Sequence, residues 1–192
     1  MDTSEHTIET ERLILRFWKE EDLADFNEYT KVEGVGEMAG WFHHENLDKS
    51  REILNLFIES KSDFALVLKE TGKVIGSFEF HESKWIPDSI YSNLKYTTLG
   101  FVLAKSYWGH SLMPEAVNTV IKYLFDNTEI EAIAISHFKH NEQSKRVIEK
   151  ARFMYVMDGT HMSRMGTEFE DKKYILLKND FNKFMKEATA KL

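Results

Sequence analysis

The chain has 192 residues, 42% hydrophobic and 30% charged, which is long enough to bury one substantial core and short enough to suggest a single domain. It contains no cysteine, which excludes a disulfide framework, a thiolate zinc site and an acyl-cysteine intermediate. With 32 acidic against 25 basic side chains the formal charge is -7, which disfavours nonspecific nucleic-acid binding and leaves room for a cationic partner.

The opening MDTSEHTIETERLILRF carries acids where a secretion signal would carry bases and then an apolar run. No stretch approaches the roughly 18 apolar residues of a membrane span, so a cytoplasmic protein without membrane contact is expected. Leu13, Leu15 and Phe17 alternate with Arg12, Ile14 and Arg16, which predicts an outer strand between Glu9 and Trp18. The acidic segment Glu20 to Asn27, with Leu23 and Phe26 three apart, predicts a first helix. After the glycine-containing segment Gly34 to Gly40, a second helix is expected from Leu47 to Glu59, with Ile53, Leu54, Leu56 and Phe57 as its apolar side. Phe64 to Leu68 and Lys73 to His81 then flank Glu70, Thr71 and Gly72, the content of a tight hairpin turn. On the second of these strands Gly76, Phe78 and Phe80 share one face, while Ser77, Glu79 and His81 share the other.

The segment Trp85 to Tyr96, with Pro87 inside it, suggests a longer loop before a strand from Thr97 to Ala104. Ala116, Val120 and Ile121, joined by Val117 and Leu124, predict a helix from Pro114 to Phe125, with Glu115 well placed in its first turn. A strand from Ile130 to Ser136, a helix from Glu142 to Ala151, and strands from Phe153 to Met157 and Tyr174 to Lys178 follow. The tail from Phe181 to Leu192 gives a weaker helical signal, and its Phe181, Phe184 and Met185 could dock on the body or on a second chain. Residues 1–180 are expected to form one domain, with 181–192 as a tail. This order predicts an α/β (α+β mixed) fold, with a mixed sheet of about seven strands and about four helices on its faces.

The stretch LGFVLAKSYWGHSLMPEA, Leu99 to Ala116, runs from an apolar strand through a glycine-containing turn into a helix, so the turn can offer unpaired backbone N–H groups to an anion. Three blocks carry a wider similarity: TERLILRF at Thr10 to Phe17, YWGHSLMPEA at Tyr107 to Ala116, and NEQSKRVIEKARF at Asn141 to Phe153. On these the chain resembles the GCN5-related N-acetyltransferase (GNAT) superfamily, and within it the branch similar to the ribosomal-protein N-terminal acetyltransferases. The resemblance implies a sheet splayed between the family's fourth and fifth strands, with acetyl-CoA entering the gap as acyl donor. Trp108, Gly109, His110, Ser111, Leu112 and Met113 would wrap its pyrophosphate with main-chain N–H groups. Phe101, Val102 and Leu103 would run beside the pantetheine arm, Asn141 would bond it, and Ser144 would lie near the sulfur as a donor to the departing thiolate. Arg146 and Lys150 could meet the phosphates, although Glu149 offers either a simpler partner. The family usually has glycine where this chain has Ser111 and Arg152, and often a small residue where it has Met113. Arginine does not end a helix in the left-handed conformation cheaply, so a shifted helix end or mild strain is expected at Arg152.

Acetyl transfer to an amine needs a group to take the ammonium proton. Glu79 and His81 lead, because they share a face of the strand expected beside the cofactor strand, and Tyr155 is a further candidate acid or positioning group. No metal is expected, since His137 with His140, His43 with His44, and His161 lack further ligands in sequence. Direct transfer in a ternary complex, without an acyl-enzyme, is therefore expected. In the segment Gly34 to Asn46, Trp41 and Phe42 could wall an acceptor mouth, with Glu37 and Glu45 attracting a cation. The resemblance suggests a protein N-terminus as acceptor. Polyamines, amino acids and antibiotics stay open, as do a non-catalytic CoA-binding or protein-binding module and a homodimer.

Overall fold

Alternation in the apolar strands sorts their side chains onto two cores, one on each side of a single sheet. The computed structural model describes residues 2–81, Tyr91 and residues 93–189; the loop expected from Trp85 to Tyr96 lies largely outside the described residues. The strands are β1 (Ile8–Glu9), β2 (Leu13–Phe17), β3 (Asp63–Leu68), β4 (Val74–His81), β5 (Tyr96–Leu103), β6 (Ala132–Phe138), β7 (Met154–Met162) and β8 (Glu168–Leu177). The α-helices are α1 (Leu23–Thr30), α2 (Leu47–Ser60), α3 (Leu112–Asn127), α4 (Glu142–Lys150) and α5 (Lys178–Thr189). The strands pair in the order β1-β2-β3-β4-β5-β6-β8-β7, antiparallel everywhere except between β5 and β6. The sheet is thus mixed, with helices on both faces. No helix among the described residues is long and apolar enough to cross a membrane.

Strand β3 shows why the sequence folds this way. Phe64, Leu66 and Leu68 join the core beneath α3 and α4, whereas Ala65 and Val67 join the core beneath α1 and α2. Every residue of β3 is buried, which accounts for the unbroken apolar run from Phe64 to Leu68. Arg16 points to the α1 side of β2 and forks onto Asp22, with both guanidinium-carboxylate contacts at 2.7 Å. That pair fixes the entry to α1, which starts at Leu23 behind a 3₁₀ turn over Glu20–Asp22.

Strands β7 and β8 extend well beyond the five-residue segments expected for them, to nine and ten residues. Most of β7 is exposed, so burial imposes no apolar alternation on it, and cross-strand pairing alone defines its length. The tail forms α5, whose Phe181 ring lies 5.4 Å from that of Phe125 in α3.

The expectation of a shifted helix end at Arg152 is overturned. Arg152 adopts the left-handed conformation at φ 61°. Its N–H donates to the Glu149 carbonyl at 3.0 Å, and the Phe153 N–H donates to the Ile148 carbonyl at 3.3 Å. These are the two bonds with which a left-handed residue closes a helix, so arginine occupies the conformation of the glycine it replaces. Its guanidinium then lies 5.1 Å from the centre of the Phe184 ring, a contact glycine cannot make.

Candidate active site

The site begins where two strands part. β5 and β6 pair only from Tyr96 to Thr98 against Ala132 to Ala134. Beyond that point β5 stays on β4 as far as Leu103, and β6 stays on β8 as far as Phe138. One edge of β5 therefore has no partner strand past Thr98, and its peptide groups face a gap. Phe101, Val102 and Leu103 line that gap, which opens into a groove of about 280 Å³.

At the end of β5 the chain turns through Lys105–Tyr107 and reaches α3 by way of two left-handed residues, Gly109 at φ 83° and Ser111 at φ 59°. The backbone N–H groups of Gly109, His110, Ser111, Leu112 and Met113 donate to nothing among the described residues. They lie at the positive end of a sixteen-residue helix, as an anion requires. Ser111 keeps the glycine-like conformation, and its hydroxyl makes no cap bond, so the side chain borders the groove without reshaping the turn. Met113 is buried in the core beneath it. Trp108 borders the groove and gives its indole N–H to the Leu103 carbonyl at 2.8 Å, which closes one acceptor of the splayed edge. His110 contributes backbone to the turn; its side chain is exposed and does not line the groove.

Helix α4 forms the opposite wall with Asn141, Gln143, Ser144, Arg146, Val147 and Lys150. Among the described ion pairs none joins Glu149 to Arg146 or Lys150, and both cations line the groove. Asn141 is 6% exposed and committed on both sides of its amide. Its Oδ1 accepts from the Ser144 N–H at 3.0 Å as the cap of α4, and its Nδ2 donates to the Met38 carbonyl at 2.9 Å. The second bond ties the loop between α1 and α2 to α4. Val35, Met38 and Ala39 from that loop complete the groove wall, a contribution that no periodicity in the sequence signals.

Glu79 reaches the fork from the other side. It faces Gly100 across β4 and β5, two residues beyond the last β5–β6 pair. A Cβ on Gly100 would stand 2.4 Å from Glu79 Oε1, so the missing side chain is what lets the carboxylate lie over β5 at the mouth of the splay. His81 lies one pleat further along β4 and is exposed, opposite Thr98. Asp63 is the register partner of Glu79 on β3, a neighbour that only strand pairing brings there. It is 5% exposed, accepts from the Ser62 and Ser60 hydroxyls at 2.7 and 3.3 Å, and is pushed up to about 6 by burial, with the nearby Glu79 charge acting in the same direction.

Tyr155 is not brought to this place. It is 53% exposed on β7, two strands beyond β6, and gives its hydroxyl to Asp158 at 2.8 Å. His137 is enclosed, donating from Nδ1 to the Phe138 carbonyl at 2.8 Å and accepting from the Tyr174 hydroxyl at 3.1 Å. Glu37 does not await a cation. It accepts from the Gly34 N–H at 2.7 Å and from the His43 backbone and ring at 3.1 and 2.9 Å. Partial burial opposes its charge, and these bonds overcome that and hold the carboxyl down to about 2. Trp41 packs over Gly36 and against His44, whereas Phe42 stays 65% exposed and Glu45 is exposed.

Residues 12–154 match the family described as acetyltransferase (GNAT) domain, a span that includes the fork, the turn and α4. The chain is 21% identical over 179 residues to YoaA of Bacillus subtilis, an uncharacterized N-acetyltransferase, covering 89% of this chain and 96% of YoaA. Among solved structures, a GNAT-family acetyltransferase from Bacillus anthracis superposes with a TM-score of 0.77 at 20% identity, over 91% of this chain and 99% of that one. AAC(6')-Ib, solved with ribostamycin and coenzyme A, gives 0.68 at 21% identity, over 90% and 97%. The splayed sheet, the open turn before α3 and the matched span together place this chain in the GNAT acetyltransferase family.

Proposed function

We propose that the protein transfers the acetyl group of acetyl-CoA directly to a primary amine, with Glu79 as the proton acceptor. The observation that carries this reading is the position of the Glu79 carboxylate over Gly100, at the fork where the groove meets the acceptor face of the sheet. The groove suits a long polyanionic donor. It offers unpaired N–H groups at the start of α3, two cations on α4, and an apolar strand edge in between. The likeness to AAC(6')-Ib, solved with coenzyme A, supports the same ligand.

The donor supplies the thioester acetyl; the chain supplies order and proton movement. A protonated amine has no lone pair with which to attack, so Glu79 first accepts its proton, directly or through water. Past Thr98 the N–H groups on the edge of β5 that has no partner strand are suited to stabilise the charge that develops on the acyl oxygen. Ser144 lines the groove and can donate to the sulfur as the C–S bond breaks, its proton replaced by the second one that the nitrogen sheds on becoming an amide. Tyr155 has no part in this scheme. A protein amino terminus is the first acceptor to test, on the resemblance to the ribosomal-protein branch, and small amines are the second. Calorimetric titration with acetyl-CoA should give near-stoichiometric binding, followed by CoA release with a panel of peptide ends and small amines. Failure to bind at millimolar donor would refute the assignment of the groove; turnover with small amines and not with peptides would refute the protein acceptor.

A further inference from the structure

The start of α3 presents a contradiction in charge. Glu115 lies in its first turn, where a carboxylate suits the helix dipole and opposes any anion held by the preceding N–H groups. The structure resolves this through a segment about a hundred residues away. Nε and Nη2 of Arg12 each lie 2.7 Å from Glu115 Oε2, and the Arg12 N–H donates to Oε1 at 2.9 Å. The Thr10 hydroxyl donates to the same Oε1. The remaining arm of the guanidinium, Nη1, donates to the His110 carbonyl at 3.1 Å, inside the turn itself.

We propose that Arg12 is a positioning residue for the pyrophosphate turn, anchored by Glu115 and seated by Thr10. The inference rests on the reading of the groove as the acyl-donor site. It assigns Arg12 two effects. A trans peptide is planar, with its carbonyl and N–H pointing in opposite directions, so holding the His110 carbonyl outward aims the Ser111 N–H the other way. The guanidinium also cancels the Glu115 charge, which would otherwise repel the bound phosphates. A lysine cannot do both, because it lacks the planar fork that serves carboxylate and carbonyl together.

The test is calorimetric titration with acetyl-CoA of the wild type, Arg12→Ala, Arg12→Lys and the double variant Arg12→Ala/Glu115→Gln, with melting temperatures of each. Arg12→Ala is expected to weaken binding by about tenfold or more, and Arg12→Lys by about threefold. Adding Glu115→Gln to Arg12→Ala should regain part of the affinity while the melting temperature stays low. A purely structural contact would not separate those two readouts. If the wild type binds and Arg12→Ala binds within about twofold of it, or if the double variant binds more weakly than Arg12→Ala, the positioning role is wrong. Should Arg12→Ala not fold, wild-type affinity in Arg12→Lys overturns the proposal in its place. If the wild type itself does not bind, the donor-site reading fails, and this inference fails with it.

Discussion

The two sides of the fork are built on different principles. The turn before α3 draws its free N–H groups from one continuous stretch and holds them by local conformation. The proposed acceptor side draws Glu79 and Asp63 from separate strands and relies on side chains. A site made of backbone tolerates changes of residue so long as the dihedral angles survive. Ser111 and Arg152 show this, since both hold the left-handed conformation in which the resemblance places glycine. A site made of side chains has no such tolerance.

The largest expected effect follows from that contrast. Glu79→Gln should lower kcat by about 10²- to 10⁴-fold while leaving acetyl-CoA affinity unchanged, as steady-state kinetics and calorimetry would show. An equal loss of donor affinity would mean that Glu79 shapes the groove and does no proton chemistry.

Next in size is Asp63. Its folded pKa of about 6 lies above the ordinary carboxylate value near 4, so folding favours the protonated form. The stability this group contributes is present below about pH 4 and is lost as pH rises through about 6. Asp63→Asn should therefore raise stability at pH 7.5 by about 3 kcal/mol, and the advantage should vanish below pH 4. Melting curves across that range measure it; a constant difference at every pH would remove ionisation as the cause.

Smaller changes probe the backbone side. Ser111→Gly relieves a left-handed serine and should stabilise the fold by about 1 kcal/mol, with donor affinity held. A tenfold change in affinity would show that the hydroxyl itself touches the phosphates. Arg152→Gly should have the smallest effect, within about 0.5 kcal/mol of zero in thermal unfolding, because relief at φ 61° is offset by loss of the contact with Phe184.

Much of the groove was legible because its parts are local. The run from Leu99 to Ala116 specifies strand, turn and helix in order, and unpaired N–H groups follow from any helix start. Asn141 lines the groove as the resemblance implies, but its cap of α4 and its bond to Met38 were not legible, since the Met38 carbonyl arrives from 103 positions away. Tyr155 lies away from the fork for a related reason. Its strand was recognised, but the order β6-β8-β7 carries it to the sheet edge, and strand order is not written in alternation.

The sequence by itself determined the alternating faces of β2 to β5, the helical stripe of α3 and the turn before it, because these follow from residue spacing and chain stereochemistry. Tertiary structure alone decided where β5 and β6 separate, that Asp63 faces Glu79, and that Arg12 reaches Glu115 and His110. Those pairings depend on which distant segments pack together, and packing is settled by the burial of the whole chain, not by any one segment of it.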